Sequence, residues 1–140
     1  MTTTGIEIIE HAGETYALIV RNNAASGDKY NFLTDQRGPL QLGMNFYQRG
    51  ESIKAHYHLP RHIESHMVQE FVLIGMGRAS LTLYSVEGQR PFSTVQLETG
   101  DMVLLITGGH SFEIQDDTKI IEVKQGPYDG KAKDKVVFGV

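Results

Sequence analysis

Six histidines occur in this 140-residue chain, and four of them fall between His56 and His66. The sharpest feature is His56-Tyr57-His58. On extended backbone, successive side chains point to opposite faces, so His56 and His58 project together and Tyr57 projects away. Two neutral imidazoles side by side form a chelating pair for zinc, iron, manganese or nickel. The chain has no cysteine, so any further ligands must be imidazole or carboxylate. Glu64, Glu70 and His110 are the downstream candidates. His62 and His66 stand four apart, one helical turn, and either line a pocket with Glu64 or sit in a solvated loop, the reading that a loop position favours. The run His62-Ile63-Glu64-Ser65-His66 is not the zinc-protease motif, because its glutamate is displaced by one position.

The elements that must position these groups read as strands. Short apolar runs, most of them with period two, mark strand candidates at 5–9, 16–20, 42–46, 53–58, 71–75, 79–85, 94–97, 102–107, 110–115 and 119–124. Turn chemistry separates the runs at Arg49-Gly50-Glu51, Glu87-Gly88, Thr99-Gly100-Asp101, Gly108-Gly109 and Asp116-Asp117. Residues 22–29 are polar and read as a loop, and only residues 60–68 carry helix-like spacing. Many short strands at regular intervals with glycine-rich turns indicate an all-β sandwich or barrel. On the strand 119–124, Glu122 and Lys124 share one face and Ile121 and Val123 the other. The charged pair either points into a cavity, where it would bind a polar substrate, or outward as ordinary surface.

Composition narrows the class. Hydrophobic residues make up 40% of the chain, enough for a core without disulfides, and the length suits one domain over 1–140. The net charge is -4 with scattered cations, so no basic stripe marks a nucleic-acid binder. No apolar run reaches the length of a membrane span, and residues 1–10 lack the pattern of a secretory leader. A cytoplasmic protein is the expectation.

The order of these residues resembles the cupin superfamily. Its first motif, G-x5-H-x-H followed by E-x6-G, is matched by Gly50, His56, His58, Glu70 and Gly77. Its second motif, G-x5-P-x-G-x2-H, is matched by Gly100, Gly108 and His110, with Ile106 in place of the proline and the histidine one residue early. The resemblance covers residues 50–114 closely, and residues 122–128 are similar to the end of some small bacterial cupins. It implies a single-domain jelly-roll β-barrel with its core at about residues 40–128. It also implies one divalent transition metal (Fe, Mn, Zn or Ni) held by His56, His58, Glu70 and His110. The gap between His58 and Glu70 is longer than the common motif, so Glu64 competes for the carboxylate place. The spacing to Gly77 favours Glu70.

Three histidines and one carboxylate leave positions open for water or substrate, a catalytic rather than a structural arrangement. The expected function is therefore metal-dependent isomerase, lyase, hydrolase or oxygenase chemistry on a small polar molecule. It would take place in a cavity lined by Val72, Ile74, Met76, Leu104 and Phe112, and no catalytic residue is singled out. The alternatives are a metal-free epimerase or isomerase of the sugar-nucleotide type, and a non-catalytic small-molecule binder. A homodimer is the expected assembly, with the strands of residues 5–20 as edge or exchanged elements. No nucleic-acid or membrane partner is expected.

Overall fold

The computed structural model describes residues 4–139, so residues 1–3 and 140 of the domain expected over 1–140 lie outside it. The elements are β1 (Thr4–His11), β2 (Glu14–Ala25), β3 (Tyr30–Phe32), β4 (Gly43–Asn45), β5 (Glu70–Met76), β6 (Arg78–Tyr84), β7 (Pro91–Glu98), β8 (Met102–Leu105), β9 (Gly109–Ile114), β10 (Lys119–Lys124) and α1 (Lys131–Asp134). Every strand pair is antiparallel. The strands form a five-stranded sheet in the order β1-β2-β8-β5-β10, a three-stranded sheet β7-β6-β9 and the hairpin β3-β4.

The apolar pattern explains this layering. Residues 16–20 of β2 are buried without interruption, the signature of a strand covered on both faces. Ala17 and Ile19 join Val72, Ile74, Val103 and Leu105 on one side of the five-stranded sheet, packed against Leu81, Leu83 and Leu97 of the three-stranded one. Leu18, Val20 and Leu104 face the other way, where Leu33, Leu40, Leu42 and Met44 around the β3-β4 hairpin cover them. Burying each of the large aliphatic side chains contributes roughly 2 kcal/mol. The free outer face of β6 is polar, with Ser80 accepting from Gln96 Nε2 at 2.6 Å and from Gln115 Nε2 at 2.8 Å.

The all-β antiparallel class expected from the sequence is present. A closed jelly-roll barrel is not found among the described residues: β1 and β10 end one sheet, and β7 and β9 end the other. Several local expectations need correction. Residues 53–58 form no strand, because no neighbouring strand pairs with them, and residues 60–68 form no helix, their apolar side chains Ile63 and Val68 staying largely exposed. The polar residues 22–25 extend β2 instead of starting a loop, since β1 pairs as far as Ala25 and Asp101 accepts the Asn22 amide at 2.9 Å. β2, N-terminal to residue 40, supplies the most continuously buried strand of the hydrophobic core. Of the strands at residues 5–20, expected as edge or exchanged elements, β1 is an edge of its sheet and β2 lies inside it between β1 and β8.

Asp101 does more than shape a turn. It is 4% exposed, and its carboxylate accepts from Arg21 Nη1, the Asn22 amide and the Glu98 amide, each at 2.9 Å. It therefore ties β2 to the β7-β8 turn. Gly108 has φ of +78°, and a Cβ there would lie 2.4 Å from the Tyr16 ring, so no larger residue fits. Asp101→Ala leaves the Asn22 and Glu98 amides without their acceptor and takes one carboxylate from Arg21, which keeps Glu7 and the Gln96 carbonyl, and we expect a loss of about 2–3 kcal/mol in urea unfolding. A loss below about 0.5 kcal/mol would show that the tie is dispensable.

Candidate functional site

Strand alternation carries Glu70 onto the same face as Val72 and Ile74, but Glu70 is the first residue of β5 and so lies at the open end of the apolar interior. His110 and Phe112 share one face of β9 in the other sheet. The two strands bring His110 Nε2 to 3.4 Å from Glu70 Oε2. Glu122 and Lys124 on β10 join them, because Glu122 pairs with Val72 and Lys124 with Glu70 in the register. These groups line a cleft of about 410 Å³ floored by Leu105 and Phe112. Glu122 and Lys124 both border this cleft, with Glu122 still exposed to solvent, while Ile121 and Val123 are exposed on the opposite face.

The side chains perturb one another. The hydrogen bond from His110, helped by one from Glu122, holds the Glu70 carboxyl down at about 2, against the desolvation that works the other way. Glu122 is pushed up, because its carboxyl shares a hydrogen bond with Glu70 and faces its charge. Two neighbouring carboxyls with affinities driven apart are a common acid–base arrangement. Lys124 is held charged mainly by Asp134 at 2.8 Å. Asp134 belongs to α1, in a C-terminal strap that sequence reading missed. The strap borders the cleft with Asp134 and Lys135 and seats the Phe138 ring where a Cβ on Gly109 would stand, 2.6 Å from Phe138 Cζ. Adjacent glycines before His110 were the available signal of that close approach.

The remaining candidates lie elsewhere. Residues 45–68 are all exposed, and residues 46–69 contain no helix or strand, forming an extended arm between β4 and β5. His56 and His58 sit on it with ring centroids 5.5 Å apart. His56 Nδ1 lies 2.8 Å from the Lys54 carbonyl, which can only accept, so Nδ1 is the donor in that hydrogen bond. His62 Nε2 lies 3.2 Å from Glu64 Oε1, both well exposed, and His66 is exposed on the same arm. Thus the structure brings Glu70, His110, Glu122 and Lys124 together, and His56 with His58, but does not join the two groups. Among the described residues, no set of three or more His, Asp or Glu side chains is placed to hold a metal ion. The single chain in this arrangement does not fit a metal: the cleft holds half of the expected ligand set and the arm the other half.

The cavity expected from the sequence also needs correction. Val72 and Ile74 are packed in the core, Leu104 faces the opposite layer and Met76 is half exposed, so only Phe112 of that set lines the cleft. A larger cleft of about 780 Å³ lies between the β1-β2 and β6-β7 turns, where His11 stacks on Phe92 at 4.3 Å. It gathers no comparable cluster of paired titratable groups.

Comparisons with family models, curated proteins and solved structures returned no match. The family resemblance rests on the motif residues alone. No helix among the described residues is long and apolar enough to cross a membrane.

The Glu70 perturbation gives a signed prediction. A depressed carboxyl contributes stability that is complete above its unfolded value of about 4.5 and is lost as pH falls through about 2. Glu70→Gln is expected to cost about 1 kcal/mol near neutral pH, a figure reduced for the partial exposure of His110, and almost nothing near pH ~2. Urea unfolding of both proteins across that range measures it. A cost independent of pH would mean that Glu70 acts through packing rather than charge.

Proposed function

We propose that the cleft between the two sheets is the active site of an enzyme acting on a small polar molecule, and that its cofactor is one divalent transition metal. The observation that carries this reading is the meeting of Glu70 and His110 from two different sheets. Glu70 belongs to the first cupin-like motif and His110 ends the second, 40 positions apart by their numbers (110 − 70). Both are ligand types for iron, manganese, zinc or nickel, and His56 and His58 would complete the set. A metal in such a site supplies Lewis acidity or an activated water. The chain's own contribution is positional: Lys124 offers a cation to an anionic or polarised group, Glu122 adds a carboxyl whose proton affinity is raised by Glu70, and Phe112 with Leu105 gives the cleft an apolar floor.

A metal-free reading uses the same pair. His110 with Glu70 is a histidine–carboxylate couple, and a proton-transfer isomerase or epimerase needs little more than a base and an acid such as Glu122. The incomplete ligand set of the single chain is the observation that favours it.

Metal content separates the two. Protein purified without a histidine tag and supplied with iron, manganese and zinc is expected to retain near-stoichiometric metal by elemental analysis. His56→Ala and Glu70→Gln should each weaken retention by about tenfold or more. A chelator should lower the melting temperature of the parent, since the ion binds only the folded state. Parent protein that never retains metal, with melting unaffected by chelator, would leave the proton-transfer reading.

A further inference from the structure

We propose that the cleft takes a small hydroxycarboxylate whose acid group replaces Asp134 on Lys124, so that the C-terminal strap is the chain's own competitor for its ligand. The inference rests on the cleft being the active site and names the ligand class. It holds whether the chemistry there uses a metal or proton transfer alone.

Lys124 brings an ammonium group to the cleft, and the strap already covers it with an acid. Lys124 Nζ donates to Asp134 Oδ2 at 2.8 Å, and the two side chains are 27% and 17% exposed. The same ammonium lies 5.6 Å from the centroid of the Tyr128 ring, so two residues of the strap hold it. Asp134 and Lys124 both border the cleft beside Glu70, His110 and Glu122. A carboxylate is therefore accommodated at this point despite the two acids nearby.

The contact is placed to be exchanged. α1 is four residues long and buries none of them, so no packing of its own fixes Asp134. Among the described residues, its pair with Lys124 is the one ion pair between residues 126–139 and the sheets. Further along, the strap is seated by Phe138, whose ring stands edge-on to Tyr84 at 5.3 Å. Phe138 does not line the cleft, so the segment at Asp134 can leave while that anchor stays. Exchange keeps Lys124 paired: one ammonium–carboxylate contact breaks and an equivalent one forms. A ligand without an acid group would instead strip Lys124 of its partner.

The rest of the cleft defines the ligand's other end. Glu122 and Lys124 share one face of β10, two residues and so about 7 Å apart along the strand. A carboxylate on Lys124 leaves the far end of a short ligand at the Glu70 and Glu122 carboxyls. A hydroxyl there donates to them, whereas a second carboxylate would meet repulsion. Leu105 and Phe112 receive the apolar stem between.

NMR titration of the full chain tests this with racemic 3-hydroxybutyrate, its uncharged amide, and butyrate, which lacks the hydroxyl. The hydroxy acid is expected to shift the resonances of His110, Glu122 and Lys124. It should also lower the backbone order of residues 131–135 as Asp134 is released. Asp134→Asn should tighten the acid about fivefold and leave the amide unchanged, because it frees Lys124 only for a ligand that uses it. Lys124→Gln should abolish the preference for acid over amide, and butyrate should bind more weakly than the hydroxy acid. Equal gains for acid and amide in Asp134→Asn would show a loosened strap rather than an exchanged partner, and would overturn the inference. An acid affinity changed by less than about twofold does the same. An acid-bound parent whose residues 131–135 stay as ordered as in the free chain overturns it without recourse to any variant. Amide binding in the cleft with no preference for the acid removes the ligand class and leaves the cleft reading intact. Resonances of His110 and Glu122 that ignore every probe in every protein remove both.

Discussion

The apolar seam between the two sheets decides where polar chemistry can sit in this molecule. Val72, Ile74, Leu81, Leu83 and Leu97 are almost completely excluded from water, and an unpaired charge among them would cost several kcal/mol. The seam can admit titratable groups only where a strand begins or ends. Glu70 at the start of β5 and His110 near the start of β9 are such positions, and their separation across the sheets follows from the packing of the layers. Asp101 braces the same seam by binding the turn after β7 to the inner strand β2.

At that end, charge balance shapes the cleft. Glu70 and Glu122 cannot both remain ionised at low cost so close together, and the solution is asymmetric: His110 favours the charged form of Glu70, while Glu122 retains its proton longer. Lys124 could have neutralised the pair but is held by Asp134 of the strap. A ligand entering the cleft therefore meets two carboxyl groups of unequal proton affinity, an imidazole and an ammonium group within one small volume.

Most of this was legible in the sequence where period two and turn glycines agree. Strands β5, β6, β8, β9 and β10 fall close to where alternation places them, and the shared faces of Glu70 with Val72 and Ile74, of His110 with Phe112, and of Glu122 with Lys124 follow from parity alone. Three features escaped. Residues 16–20 carry no alternation, because both faces of β2 are covered, so pattern could not reveal its central place. Residues 53–58 do alternate, but a strand needs a neighbour to satisfy its backbone, and one chain offers none. The strap from Gln125 to Phe138 has no periodicity, and its position is fixed by a single ion pair and by one ring over Gly109.

Everything proposed for the cleft presupposes that Glu70 and His110 touch. A double-mutant cycle measures that contact: unfolding free energies of the parent, Glu70→Gln, His110→Ala and the double variant, taken near pH ~6 without metal. Contact predicts a coupling of about 0.5–1 kcal/mol between the two substitutions. Effects that add to within about 0.3 kcal/mol would mean that the two side chains do not meet, and the site would lose its foundation.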